Sequence, residues 1–237
     1  MRGASRTYVA ACCAILVSAC GGGKYSGAPS SANYDLQTGI ANMVTNGLSA
    51  NVALSGTASV NGVSHPFTGS GTFTRAPGVS ATFNATLASS QMTTVAGAIT
   101  VAGQSSPYST SVNDYYASSD AALLGEVSGS EYDVAQAPIV FPTMIVAGSS
   151  ETLGTLTRYT NSTMSVSLGT AQVSFLATAP VDPGSPIGVA VTTKIYDTQN
   201  TLIETDVTNY TMTSSNVISL SSASAQTQSG MLTVTVQ

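Results

Sequence analysis

The chain has 237 residues, with 11 acids against six lysines and arginines, one histidine and three cysteines. A formal net charge of −5 carried by scattered side chains leaves no electrostatic footprint for nucleic acid. Only 7% of the residues are charged, and Ser, Thr, Gly, Val and Ala supply most of the rest, a composition poor in helix formers that reads as all-β.

At the start, Arg2 and Arg6 precede an apolar run from Tyr8 to Val17, followed by Val17-Ser18-Ala19-Cys20. Basic residues, a short apolar stretch and small residues make an export signal. The stretch is too short to cross a bilayer as a helix, which takes about 20 apolar residues. Val-Ser-Ala-Cys resembles the lipobox of bacterial lipoproteins. The resemblance covers residues 1–20 and implies cleavage before Cys20, with acylation (palmitate among the chains) of the cysteine. Gly21 stands where an inner-membrane retention signal would place Asp, so the resemblance further implies the outer membrane of a diderm cell envelope. Cys12 and Cys13 leave with the signal, and the mature chain keeps no thiol for a disulfide, a metal or a nucleophile. Lys24, Arg75, Arg158 and Lys194 then remain against all eleven acids, a charge of −7. Such a chain meets an anionic membrane surface through its lipid alone.

Residues 20–33 form a Gly/Ser-rich tether without apolar period. One short helix follows, with Asp35 as N-cap, Leu36, Ile40, Val44 and Leu48 at spacing four, and Gly47 as the stop. Asn51 to Thr74 splits around Asn61-Gly62, a strong hairpin signal. Counting outward pairs Val60 with Val63, Ala58 with His65, Gly56 with Phe67 and Leu54 with Gly69. Leu54, Ala58, Val60, Val63, His65, Phe67 and Phe73 then share one face, while Ser and Thr line the other. Phe67 is placed to cover the bare backbone of Gly56. The unit recurs 41 residues on: Gly56, Val60, Gly62, Ser64 and Pro66 match Gly97, Val101, Gly103, Ser105 and Pro107, with Tyr108 in place of Phe67. The alternating strand Val79, Ala81, Phe83, Ala85, Leu87 joins the two copies.

Beyond Tyr115 the strand candidates are Ile139–Val146, Thr152–Thr160, Met164–Leu168, Gln172–Ala177, Ile187–Tyr196, Leu202–Met212, Val217–Leu220 and Leu232–Val236. A Pro-rich connector spans Thr178–Pro186, and Asp197-Thr198-Gln199-Asn200 is a turn. The expectation is an all-β fold, an antiparallel sandwich or barrel-like sheets with a duplicated hairpin and one short N-terminal helix. The organisation expected is 1–19 signal peptide, 20–33 tether, 34–117 one β domain or half-domain with the duplicated hairpin, and 118–237 a second. A transmembrane barrel fits poorly, because its aromatic girdles are missing: Trp is absent and Phe occurs five times.

His65 is the lone histidine, on the apolar face of the first hairpin, with Ser106 as its counterpart. It reads as a histidine at the rim of the core, so no catalytic residue, cofactor or metal ligand is expected. Asp114, Tyr115, Tyr116 and Tyr132 form a candidate binding patch. Glu126, Glu131 and Asp133 read as a solvated acidic loop within Gly125–Ala135. The functional expectation is a non-enzymatic binding or scaffolding module, held to the membrane by its lipid, with an envelope protein or a glycan as partner. The alternative is a carbohydrate-active or other hydrolase using the acids of 114–133, for which a pair of carboxylates flanking a bond is the required arrangement.

Overall fold

The computed structural model describes residues 33–60, 63–129, 131–182 and 184–237. The expected signal peptide, Cys20, the expected tether up to residue 32 and residues 61–62 lie outside the described residues. The elements are α1 (Leu36–Asn46), β1 (Leu48–Val60), β2 (Val63–Arg75), β3 (Val79–Phe83), β4 (Thr86–Val101), β5 (Gln104–Ala117), β6 (Leu123–Ser128) and β7 (Glu131–Ile139), then β8 (Ser150–Tyr159), β9 (Ser167–Thr178), β10 (Ile187–Tyr196), β11 (Leu202–Met212), β12 (Ile218–Thr227) and β13 (Gly230–Val236).

From β4 to β13 each strand pairs antiparallel with its successor, β13 pairs with β1, and β2 returns to pair with β4. That last pairing closes a 12-stranded antiparallel barrel, with β3 appended to the edge of β4. The strands of 34–117 and those of 118–237 build this one barrel together. Closure pairs the strands on both sides over most of their length, with the 104–112 stretch of β5 as an exception. The lumen holds Leu54, Phe67, Phe73, Val95, Leu156, Val173, Val189, Leu232 and Val234, all buried. Outward positions on β2 are Ser64, Pro66, Thr68, Ser70 and Thr72, all exposed. This is apolar within and polar without, the reverse of the lipid-facing belt of a membrane barrel.

Helix α1 stoppers one end. Asp35 accepts from the Thr38 amide at 2.9 Å as the N-cap, and Gly47, at φ +69, ends the helix. Leu36, Ile40, Met43 and Val44 face the lumen. A Cβ on Gly39 would sit 2.8 Å from Met212 Sδ and 2.9 Å from Ile218 Cδ1, so this glycine lets the helix lie against β11 and β12.

The first hairpin has the register counted from its turn: Val60–Val63, Ala58–His65, Gly56–Phe67 and Leu54–Gly69. In the second copy Gly97 pairs with Tyr108 and Ala98 with Pro107. The role assigned to the glycines needs correction. A Cβ on Gly56 would reach the Phe67 ring, but it would first run into the Met231 carbonyl of β13. On Gly97 it would meet the Ser70 carbonyl and Gly71 of β2, not Tyr108. Gly56 serves the close approach of β1 to β13 and Gly97 that of β4 to β2 where the barrel closes, and the aromatic cover is secondary.

Three expected strands also differ. Val79–Leu87 is broken by Asn84 and Ala85, both at positive φ, into β3 and the start of β4. Ile139–Val146 leaves the sheet after Ile139: Pro142 cannot donate to a ladder, and its carbonyl accepts from Gln37 of α1. Met164–Leu168 begins in a turn, with Met164 at φ +54, and only its end belongs to β9.

Candidate functional site in the barrel lumen

Alternate residues of a strand point to opposite faces, which divides the patch expected from sequence. Asp114 and Tyr116 are buried in the lumen. Tyr115 and Tyr132 lie on the outer face, where Phe83 stacks between them at centroid distances of 4.5 and 4.9 Å. Tyr132 also donates to Asn84 Oδ1 at 3.0 Å, fastening the β3–β4 turn. The four residues therefore form no common surface. The acidic loop is corrected too: Gly125–Ala135 is the β6–β7 hairpin, and Glu126 and Asp133 pair across it on the face that pairs with Asp114. His65 is half-buried near the hairpin tip, far along β2 from the acids.

Two guanidinium groups organise the polar lumen. Arg75 forms an ion pair with Asp114, its Nε donates to Thr93 Oγ1 at 2.9 Å, and its Nη1 donates to the Tyr210 hydroxyl at 3.0 Å. The same Nη1 approaches Met43 Sδ of α1 at 3.6 Å, and Nη2 lies 3.4 Å from the Tyr116 hydroxyl. One side chain thus ties β2, β4, β5, β11 and α1. Burial alone would lower the Arg75 pKa, but Tyr116, Tyr210 and Asp114 outweigh it and hold the group charged. Burial raises the pKa of Tyr116 and Tyr210. Arg158 of β8 donates to Glu131 Oε2 at 2.6 Å and stands 3.8 Å from Asp133 Oδ2 of β7. Its side chain is 5% exposed, so the charges are compensated by contact and not by water.

Beside the Arg75–Asp114 pair and Ile40 of α1 lies a cavity of about 170 Å³. Its wall carries hydroxyls from Thr93, Thr110, Thr193, Thr208, Tyr116 and Tyr210, and carboxylates from Asp114, Glu126 and Asp206. Arg75 is the one cation on it among the described residues, and Phe73, Val95, Val173 and Val191 supply apolar ground. At about 30 Å³ of liquid volume per water, the space suits a handful of waters or a fragment-sized molecule. It is smaller than the roughly 300–1,000 Å³ of drug-sized pockets.

The wall beside the cavity is incomplete. β6 pairs with β5 only from Asn113 onward, so the stretch 104–112 has β4 on one side alone. The two-residue turn Ala102-Gly103, at φ 48 and 80, makes Val101–Gln104 a hydrogen-bonded pair. Residues 105, 107, 109 and 111 therefore turn their backbone groups toward the gap, and Pro107, which has no N–H, is one of them. Thr110, Ser111 and Val112 of this stretch line the cavity. Tyr108 lies alongside with its hydroxyl buried and unpartnered among the described residues, and burial pushes its pKa to about 12. Among the described residues no three His, Cys, Asp or Glu side chains converge as metal ligands.

No family model and no curated protein matches the chain. Among solved structures it is similar to a DUF1329 family protein from Desulfovibrio piger, at 7% identity over 86% of this chain and 92% of that one, with a TM-score of 0.26. A superposition at that score transfers neither fold nor function.

Proposed function

We propose that the protein is a lipid-anchored, non-enzymatic binding module of the cell envelope whose ligand site is the barrel lumen. The observation that carries the binding reading is the cavity wall. A void of about 170 Å³ whose apolar wall also carries hydroxyls and three carboxylates has polar groups to offer a ligand, unlike the wholly apolar voids that packing defects leave. Three carboxylates against one guanidinium favour a small polar ligand that carries positive charge, and the gap beside β5 is the way in. Support for a non-catalytic role comes from the ion pairs. Asp114 is held by Arg75, and Glu131 and Asp133 by Arg158, which suits fixed acceptors better than an acid–base pair that must exchange protons. Support for the anchor is Val17-Ser18-Ala19-Cys20.

Two experiments test the reading. Thermal unfolding of the mature chain is followed with small amines and polyols as probes; a ligand at 100 times its Kd adds about 2.7 kcal/mol. Val191→Phe, which fills the cavity, should abolish the shift. If no probe raises Tm and Val191→Phe stabilises the protein, the cavity is only a void. For the anchor, Cys20→Ser should leave the membrane fraction or stall as precursor; normal processing with membrane retention would end the lipoprotein reading.

A further inference from the structure

At Tyr34 the chain enters the barrel between two segments that carry exposed apolar side chains. Tyr34 pairs with Ile145 through both backbone bonds, at 3.2 and 2.8 Å, and the Asp35 amide donates to Asn216 Oδ1 at 3.1 Å. The 140–146 segment therefore flanks the entry point on one side and the 213–217 turn on the other. On these two segments Val140, Met144, Val146 and Val217 are 50%, 64%, 45% and 54% exposed. Exposure alone does not single out this end. Val63, Met164 and Val166 at the opposite tips are about as exposed.

The distinction lies in reach. Fourteen residue steps separate Cys20 from Tyr34, a reach of at most about 48 Å. The 16-residue β4, tilted as barrel strands are, spans about 40 Å along the axis. A lipid at Cys20 thus holds the α1 end near the bilayer at an effective concentration near millimolar, whereas the far tips reach it only with the linking residues drawn out almost fully. None of Arg75, Arg158 and Lys194 lies on the two flanking segments, while Asp35 lies beside them. That composition matches a neutral surface and resists an anionic one.

We propose that the α1 end of the barrel is its membrane-facing surface, with Val140, Met144, Val146 and Val217 resting in the interface of a zwitterionic bilayer and the β-hairpin tips directed away. The proposal rests on the lipoprotein reading. It gives the module a fixed orientation, since shallow burial of apolar side chains adds to the lipid's hold.

The test uses the lipidated full chain in phosphatidylcholine vesicles. Because the sulfur of Cys20 is acylated, Met144→Cys or Val166→Cys supplies one free thiol for an environment-sensitive fluorophore. Vesicle flotation and quenching by a spin-labelled phosphatidylcholine are read on the same samples. The label at 144 should be quenched and that at 166 should not. Adding Val146→Asp and Val217→Asp should abolish quenching at 144 without changing flotation. Protein that floats with no more quenching at 144 than at 166 overturns the orientation and leaves the anchor standing. Protein that does not float overturns the anchor, and the orientation with it.

Discussion

Removing the charge at Arg75 is expected to be far more damaging than removing the whole ion pair. The guanidinium is 11% exposed and its Asp114 partner 9%, so Arg75→Met strands a buried carboxylate and leaves the Tyr210 and Tyr116 hydroxyls without the donor they face. Stranding one charge of a buried pair costs about 3–5 kcal/mol, whereas replacing both with apolar groups of similar volume is near neutral or stabilising. Asp114→Leu alone should cost a similar amount through the orphaned guanidinium. The double variant Arg75→Met/Asp114→Leu should return to within about 1 kcal/mol of the parent, because Phe73, Val95 and Leu123 already line the same space. The assay is urea unfolding of the four proteins, with ΔG and m compared across the cycle. Near-additive losses, leaving the double variant the least stable of all, would show that the polar node contributes net stability and would refute the desolvation argument.

Three other outcomes follow from the geometry. Phe83→Ala removes a ring that is 3% exposed and stacked between Tyr115 and Tyr132; it should cost about 3–5 kcal/mol in thermal unfolding, and a loss below about 1 kcal/mol would mean the β3–β4 flap contributes little. Gly56→Ala should be as costly in a Phe67→Ala background as in the parent, since the Met231 carbonyl blocks the Cβ in both; a double-mutant cycle with strong coupling would place the strain on the ring instead. Alkaline titration should unfold the protein cooperatively. Tyr108 has its pKa raised from 10 to about 12, so the folded state holds its proton more tightly; that stability is complete below pH 10 and is lost as pH rises toward 12, with Tyr116 and Tyr210 acting in the same direction. Tyrosinate absorbance rising smoothly from pH 10 with folding intact would contradict the burial of these hydroxyls.

Local signals were legible wherever a short motif fixes a backbone state. Asp35 and Gly47 bound the helix at both ends, and the pairing of Gly56 with Phe67 and of Gly97 with Tyr108 follows from counting out from a two-residue turn. Ile187–Tyr196 and Leu202–Met212 stand as read, around the Asp197–Asn200 turn. What the pattern does not contain is closure. The β2–β4 pairing joins residues 18 to 34 apart across the intervening β3 hairpin, and its signature is the glycines at 69, 71 and 97, of which Gly97 reads equally well as bare backbone awaiting an aromatic cover. The repeated proline has a reason visible only in the barrel. Pro107 faces the gap where β5 lacks a neighbour, and Pro66 faces the β4 side at a point beyond the end of that pairing, which stops at Phe67–Val101.

The site is hidden from adjacency in the sequence for a related reason, although the period-two pattern that fixes the hairpins also contains it. The first ribbon's inward set is Val63, His65, Phe67 and Phe73, and two residues further it arrives at Arg75. The second ribbon's inward set starts at Tyr108 and arrives at Asp114 and Tyr116. An arginine and an aspartate that fall on the apolar faces of two ribbons are candidates for each other, because neither can be buried alone. Grouping Asp114 with Tyr115 by adjacency instead joined residues that a strand sends to opposite faces. In β11 the same alternation places Glu204, Asp206, Thr208 and Tyr210 on the lumen side together with buried Met212. An all-β chain with few charges therefore reveals its interior chemistry through charged residues that keep step with the apolar ones, and in this barrel four of them, Arg75, Asp114, Glu126 and Asp206, line the cavity.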